Sequence, residues 1–564
     1  MKTAFLCAAI VAASLVPAAD PAQPCPGSDG TPTRVETGSF DTSMEGAYVM
    51  VPFDVPAGST RVRVKLCYDQ PTSPTSSQIK HTLDLGVFEA STDGFHDSNE
   101  FRGWGGSSRP NVLITPEQAT IGFLPGPIPA GEWAAEIGVA AVAGPDEGDP
   151  DGSVGWRLEL FVTSFAADLD APWQPTPYDE TPARSEAGWY KGDVHVHAEH
   201  SSPNDASMGE TFDYAFGPRP QGAGLDFVTL SDYVGTRHWH EIGRFQTDYP
   251  GKLIVRSAEV ITYRGHINNH ASVDYVDHRT GPIHELRGGA LQLIRPARGA
   301  QEILDGIHEG GGWTQINHPT TFPSKIPLFA NLCRGCSYEY ADDETDWSKV
   351  DSMEVQTGPS GSPDPQGNEL GPNPFTPAAI EWWDRLRRDG YDITAVGSSD
   401  SHNAGRTPGG ITQSPIGEAT TVVFAEELSE RGIHEGIAAG HVYVKFFSSD
   451  GPDLRFEAVP VEKPGNGRGK GKGPHAIMGD RLKTTSASFT ATVLGAGTGQ
   501  PRELLVLKDG FPFLVTPVSG ADFVFEFSAE EPGDYRLQLQ RGSAIEALSN
   551  PITLEPPKKT AGAA

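Results

Sequence analysis

In Gly192-Asp-Val-His-Val-His197, polar and apolar residues alternate. Alternate side chains of a strand share a face, so Asp193, His195 and His197 point one way and Val194 and Val196 the other. Two imidazoles about 7 Å apart along a strand can converge on one metal ion. A polar row on a buried strand needs partners, so other segments have to supply acids or further imidazoles.

Several segments do. Ser399-Asp-Ser-His402 follows the apolar run 393–397 and places Asp400 and His402 on one face. Carboxyl ends of strands are where α/β folds build their sites. An Asp with a His suits zinc, manganese or iron better than calcium. Ile316-Asn-His-Pro319 ends another apolar stretch, and the proline predicts an extended backbone for His318. Glu259 closes the run 253–258, and a Glu can bridge two ions through its two oxygens. Asp232 closes 227–231 in the same way. Gly265-His266 and His270 follow Glu259, and the two histidines share a face if that stretch is extended. Fourteen of the 17 histidines fall between His195 and His441, a concentration that solvated or core roles do not explain.

Around these motifs, residues 188–450 read as an α/β domain with parallel strands. Strands are expected at 226–230, 253–257 and 393–397, and helices at 300–309 and 377–389. Residues 27–168 alternate apolar and polar residues, as in Arg61-Val-Arg-Val-Lys-Leu-Cys67, with Gly, Pro, Ser and Asp clusters between the runs. They predict a β-sandwich or jelly roll. Residues 169–187 read as a linker, and 451–556 as an immunoglobulin-like sandwich.

Residues 1–19 have the charged start, apolar run and small-residue end of a secretory signal. No stretch is long enough for a transmembrane anchor. Four cysteines remain beyond it, an even number that favours disulfides in an exported protein, with Cys25–Cys67 as the expected first pair and Cys333-Arg-Gly-Cys336 as a tight disulfide loop, a redox or zinc element being the alternative for that CxxC. A net charge of −31 argues against a nucleic-acid polymer as partner. The oligomeric state is not legible.

The motif set resembles the polymerase and histidinol phosphatase (PHP) superfamily of metallohydrolases over residues 188–450. Gly192 to His197, Phe227-Val-Thr-Leu-Ser-Asp-Tyr233, Glu259, Asn317-His-Pro319 and Gly397 to His402 carry the resemblance. Gly265-His266 and Ile416-Gly-Glu-Ala-Thr420 resemble its carbaryl-hydrolase-like (CehA/McbA) branch. The resemblance implies a distorted (β/α)7 barrel between the two β-sandwiches. It implies divalent ions, with His195, His197, Glu259 and Asp400 around one, and Glu259, His318 and a further histidine around a second. That further ligand is His266, with His270 as the alternative. Tyr233 stands where three-metal members carry a histidine, so two ions (Zn, Mn or Fe) are expected, with His402 as a lone ligand or proton donor.

The implied activity is hydrolysis of a small ester by metal-activated water, a phosphoester first and a carbamate or carboxylic ester second. Asp400, His402 and His270 are candidate catalytic groups. Asp232, Tyr233, Arg264 and Arg406 are candidate substrate contacts, since an Arg fork can hold phosphate. A binding protein with a degenerate centre, its sandwiches contacting glycans or surfaces, is the rival class. It has to explain why nearly every ligand position is kept.

Overall fold

The computed structural model describes residues 20–71, 80–91, 100–272, 274–326, 329, 333–358, 373–405, 414–461, 475–497 and 501–557. The expected signal segment 1–19 and Arg406 lie outside the described residues. The protein is multidomain and mostly β, with five α-helices among the described residues.

The alternating N-terminal runs form two facing sheets. One orders Arg34–Asp41, Ser153–Thr163, Arg61–Tyr68 and Asn111–Ile114; the other is built on Tyr48–Val55, Gly131–Ala141, Thr82–Phe88 and Phe101–Gly106. Val62, Val64 and Leu66 meet Val49, Val51 and Ile137 between them. Full burial of each such side chain contributes about 1.5–3 kcal/mol. The Cys25–Cys67 disulfide ties the leading segment to this sandwich. A hairpin from the middle of the chain, Ile283–Arg287 with Ala290–Arg295, extends the second sheet, Ile283–Arg287 running parallel to Tyr48–Val55. The central region therefore reaches into the N-terminal sheet.

Gly188–Val196, Phe227–Leu230 and Leu253–Thr262 pair in parallel. The two residues after Thr262 turn the chain straight back into Gly265–His270, antiparallel to the strand before it. Trp313–Ile316, Ser352–Thr357 and Thr394–Ser398 complete a run of seven strands. The last segment returns to the first: Asp400 N–H donates to the His195 carbonyl (3.0 Å) and His197 N–H to that of Ser401 (2.9 Å). The helices Gln301–Glu309 and Thr376–Arg388 lie where the sequence predicts them. Seven strand–helix repeats of a (β/α)7 barrel are not shown. The tight hairpin after Thr262 leaves no room for a helix between its strands, and only five helices lie among the described residues.

Thr420–Ala425 pairs antiparallel with Gly188–Val196 and leads through Val442–Lys445 to Ala544–Ser549, so one 15-stranded sheet runs into the C-terminal β region. There Tyr535 and Leu537 of this sheet share a core with Phe456 and Phe489 of a second, four-stranded sheet. Gly192 is required by packing: a Cβ there would enter the Phe227 ring.

Candidate metal centre

Strands and the turns just beyond them carry the acids and imidazoles to one place; Glu259, expected at a strand end, lies inside Leu253–Thr262, which runs on three residues past it. His195 lies on Gly188–Val196 and His197 just beyond it; Glu259 and His266 lie on the two arms of the hairpin, with Glu259 opposite Asn268. His318 and Asp400 each sit two residues past a strand, Trp313–Ile316 and Thr394–Ser398. Glu259 Oε1 is 3.1 Å from His318 Nε2, 3.2 Å from His266 Nδ1 and 3.4 Å from His195 Nε2, and its Oε2 is 3.6 Å from His197 Nε2. Asp400 Oδ1 is 3.1 Å from His197 Nε2, 3.5 Å from His195 Nε2 and 3.7 Å from His402 Nε2. The Nε2 atoms of His195 and His197 face each other at 3.0 Å. His195, His197 and Glu259 bring ligand atoms within 4.8 Å of one another, as do His197, Asp400 and His402.

Each imidazole is anchored through its other nitrogen. His195 Nδ1–H donates to Glu354 (2.9 Å), His197 Nδ1–H to Ser201 Oγ (2.9 Å), His318 Nδ1–H to the Cys336 carbonyl (2.8 Å) and His402 Nδ1–H to Asp205 (2.9 Å). His266 is turned over, with Nε2–H toward the Arg334 carbonyl at 3.4 Å. These assignments follow from the acceptors, which fix the tautomer. Every ring thus turns its remaining nitrogen toward the same two carboxylates, and loss of the proton there gives the form in which histidine ligates a metal.

Backbone conformation serves the same end. His318 (φ 28°) and Asp400 (φ 51°) both sit in the left-handed region, which costs such residues of order 1–3 kcal/mol. The extended backbone predicted for His318 is therefore not found. Its N–H donates to Glu354 Oε2 at 2.6 Å and its ring to Cys336, and together these hold it.

The charge balance fits a divalent cation. Burial opposes ionisation of Glu259 and Asp400, yet His195 and its neighbours outweigh it and hold both carboxyls well below their ordinary values. Burial likewise opposes charge on His318 and His402, but Glu259 for the first and Asp205 for the second raise them to about 8 and about 9. Without a metal, protonated imidazoles neutralise the acids; a divalent ion would take over that role. The donor set, nitrogen and carboxylate oxygen, suits zinc, manganese or iron.

Other sequence candidates fall elsewhere. His270 is not brought to this cluster: it is fully buried, stacked on Trp313, with Nε2 3.2 Å from Gln315 Oε1, and burial pushes it down to about 3. Asp232 lies behind the site, accepting from Ala198 N–H (2.7 Å) and Ser201 Oγ (2.6 Å). Tyr233 faces it, its hydroxyl 3.3 Å from His402 Nε2. Arg264 is committed to Glu344 and stacks on Tyr340. Asp193 staples the strand to later loops through Ser399 N–H (3.1 Å) and Gly417 N–H (2.8 Å).

Glu354 was missed by attention to strand ends. It sits inside Ser352–Thr357, fully buried between Met353 and Val355. The alternation in Ser352-Met-Glu-Val-Gln-Thr357, which puts Glu354 on one face with Ser352 and Gln356, was the available signal, since a buried charge has to be partnered. Ser201 and Asp205 left no pattern.

No protein-family model matches the chain, and no curated protein does. Among solved structures, a two-domain protein from Bacteroides vulgatus, described as containing a predicted PHP-like metal-dependent phosphoesterase, is similar at 15% identity over 68% of this chain and 100% of that one, with a TM-score of 0.33. A likeness that distant carries no argument about activity. No helix among the described residues is long and apolar enough to cross a membrane.

Proposed function

We propose that the protein is an exported, metal-dependent hydrolase of the PHP type that acts on small esters. The observation that carries this is the anchoring of five imidazoles, each with one nitrogen held and the other aimed at Glu259 or Asp400. A non-catalytic core has no use for that arrangement. His195, His197, Glu259 and Asp400 would hold one ion, and Glu259, His266 and His318 a second. Ions bound there would acidify a water and polarise the bond under attack.

The chain's own groups supply the rest. Asp400 and His402 keep 27% and 18% of their side chains exposed, against 0–6% for His195, His197, His266 and His318, so substrate enters on their side. His402, oriented by Asp205 and flanked by the Tyr233 hydroxyl, is placed to pass a proton to the leaving group. Glu354 and Ser201 keep His195 and His197 in the ligating tautomer. Export is supported by the Cys25–Cys67 and Cys333–Cys336 disulfides.

A phosphoester is the first substrate class. A carbamate or carboxylic ester is the second, and one observation favours it. Arg237 and Arg264 are both engaged, with Glu241 and Glu344, so neither offers a free fork for phosphate. The test is metal content per chain, with turnover of p-nitrophenyl phosphate, bis(p-nitrophenyl) phosphate and a naphthyl carbamate on the same sample. Two ions and phosphoester turnover are expected. Carbamate turnover alone would reverse the substrate order, and His195→Ala with unchanged metal content and activity would refute the reading.

A further inference from the structure

The Cys333-Arg-Gly-Cys336 turn meets the candidate centre through its backbone. The Cys336 carbonyl accepts from His318 Nδ1–H at 2.8 Å, and the Arg334 carbonyl lies 3.4 Å from His266 Nε2. Gly335 has φ +78°, and a Cβ there would strike the Thr262 carbonyl, so the turn is pressed against the strand that carries Glu259. Ester hydrolysis asks nothing of a disulfide at this place.

The sulfur itself is also at the centre. Cys336 is 7% exposed, and its Sγ lies within 4.8 Å of ring nitrogens of both His266 and His318. In the folded chain that sulfur is bonded to Cys333 and cannot act as a thiolate. Thiolate and imidazole together are the commonest ligands of zinc.

We propose that Cys336 is a latent metal ligand: once its bond to Cys333 is reduced, its sulfur joins His266 and His318 around one divalent ion. This rests on the metal-centre reading above. A dithiol reductant supplies two electrons and two protons and leaves as its own disulfide, giving two cysteine thiols. Coordination then forms the sulfur–metal bond and releases the Cys336 proton to solvent, while Cys333 stays a free thiol. His266, His318 and Cys336 form a three-ligand set, their ligand atoms lying within 4.8 Å of one another. Three protein ligands leave a fourth position open for water or substrate. The oxidised turn leaves nitrogen and oxygen donors alone at this position, and the reduced turn adds a sulfur and shifts preference toward softer ions.

The test uses the full chain loaded with cobalt(II) in three forms: wild type, Cys333→Ser and Cys336→Ser. Cys333→Ser leaves the Cys336 thiol free without any reductant. A near-ultraviolet thiolate-to-cobalt charge-transfer band is expected in Cys333→Ser and in phosphine-reduced wild type. It is expected to be absent from oxidised wild type and from Cys336→Ser. Visible cobalt bands without the charge-transfer band in both thiol-bearing forms would overturn the latent ligand and leave the metal centre standing. Absence of any cobalt spectrum in all forms would overturn the metal centre itself. Should Cys333→Ser fail to fold, reduced wild type decides alone.

Discussion

Replacing Glu354 by Gln removes one charge and one acceptor oxygen while keeping the side-chain volume. Glu354 Oε1 accepts from His195 Nδ1 (2.9 Å), Gln315 Nε2 (3.0 Å) and Ser398 Oγ (2.7 Å); Oε2 accepts from His318 N–H (2.6 Å) and Thr357 Oγ1 (2.6 Å). Every partner is a donor, so the new amide NH2 meets donor hydrogens whichever way it turns. On the Oε2 side it faces the His318 backbone N–H, which cannot rotate away. On the Oε1 side it faces His195 Nδ1–H, and that ring can relieve the clash only by moving its proton to Nε2, the nitrogen that would bind metal. Hydrogen bonds to a charged group contribute about 1.5–3 kcal/mol each, so the metal-free protein should lose roughly 2–4 kcal/mol. Loss of an outer partner of a ligating histidine weakens metal binding about 10–100-fold, or about 1.4–2.7 kcal/mol. The assay is competition for zinc against a coloured chelator in wild type and Glu354→Gln, with thermal melts with and without metal. Chelator competition within about twofold of wild type in a folded Glu354→Gln would show that Glu354 does not orient the ligands.

Three further outcomes follow from the same contacts. Ser201→Ala takes the acceptor from His197 Nδ1–H but leaves Asp232 its Ala198 and Ser201 N–H donors, so metal affinity should fall about tenfold with the fold kept; an unchanged affinity would break this relay. Arg109 donates to the carbonyls of Glu199, His200 (3.1 Å) and Ser201 (2.8 Å), bracing the loop after His197 from the N-terminal sandwich. Arg109→Met should destabilise by about 2–4 kcal/mol and speed amide exchange in that loop, and a melting temperature equal to wild type would count against the brace. Asp84 is buried beside Glu136 and accepts from the Tyr263 hydroxyl at 2.8 Å; burial raises its carboxyl from 3.8 to about 7. Its neutral form is the one the fold favours, so this contribution is full below pH 3.8 and is lost as pH rises to about 7, on the order of 4 kcal/mol in all. Asp84→Asn should match wild type in acid and melt higher at pH 8; equal melting temperatures at pH 8 would refute the assignment.

What the sequence disclosed here tracks the range of the forces involved. The ligands were legible because period-two alternation and the run before each one are local: Asp193 to His197, Glu259 after 253–258 (though its strand runs on to Thr262), Asp400 and His402 after 393–397. His270 and His266 share a face by that same periodicity, but four residues of rise separate them, and only tertiary packing shows that His266 reaches Glu259 while His270 is stacked on Trp313. The hairpin Ile283–Arg287 with Ala290–Arg295 looked like part of the central region because its pairing partner, Tyr48–Val55, lies more than two hundred residues away in sequence. His318 misled for a different reason. The proline after it biases an isolated chain toward extended backbone, but Glu354 and Cys336 hold two of its N–H groups, and two such bonds outweigh a strain of a few kcal/mol. The same balance explains why the outer shell is the informative part of this centre. With His195, His197, His318 and His402 already committed at Nδ1, little tautomer or rotamer freedom remains to be lost when an ion binds. Damage to Glu354, Ser201 or Asp205 should therefore register first as weaker metal binding, with unfolding following only where the freed group is left buried without a partner.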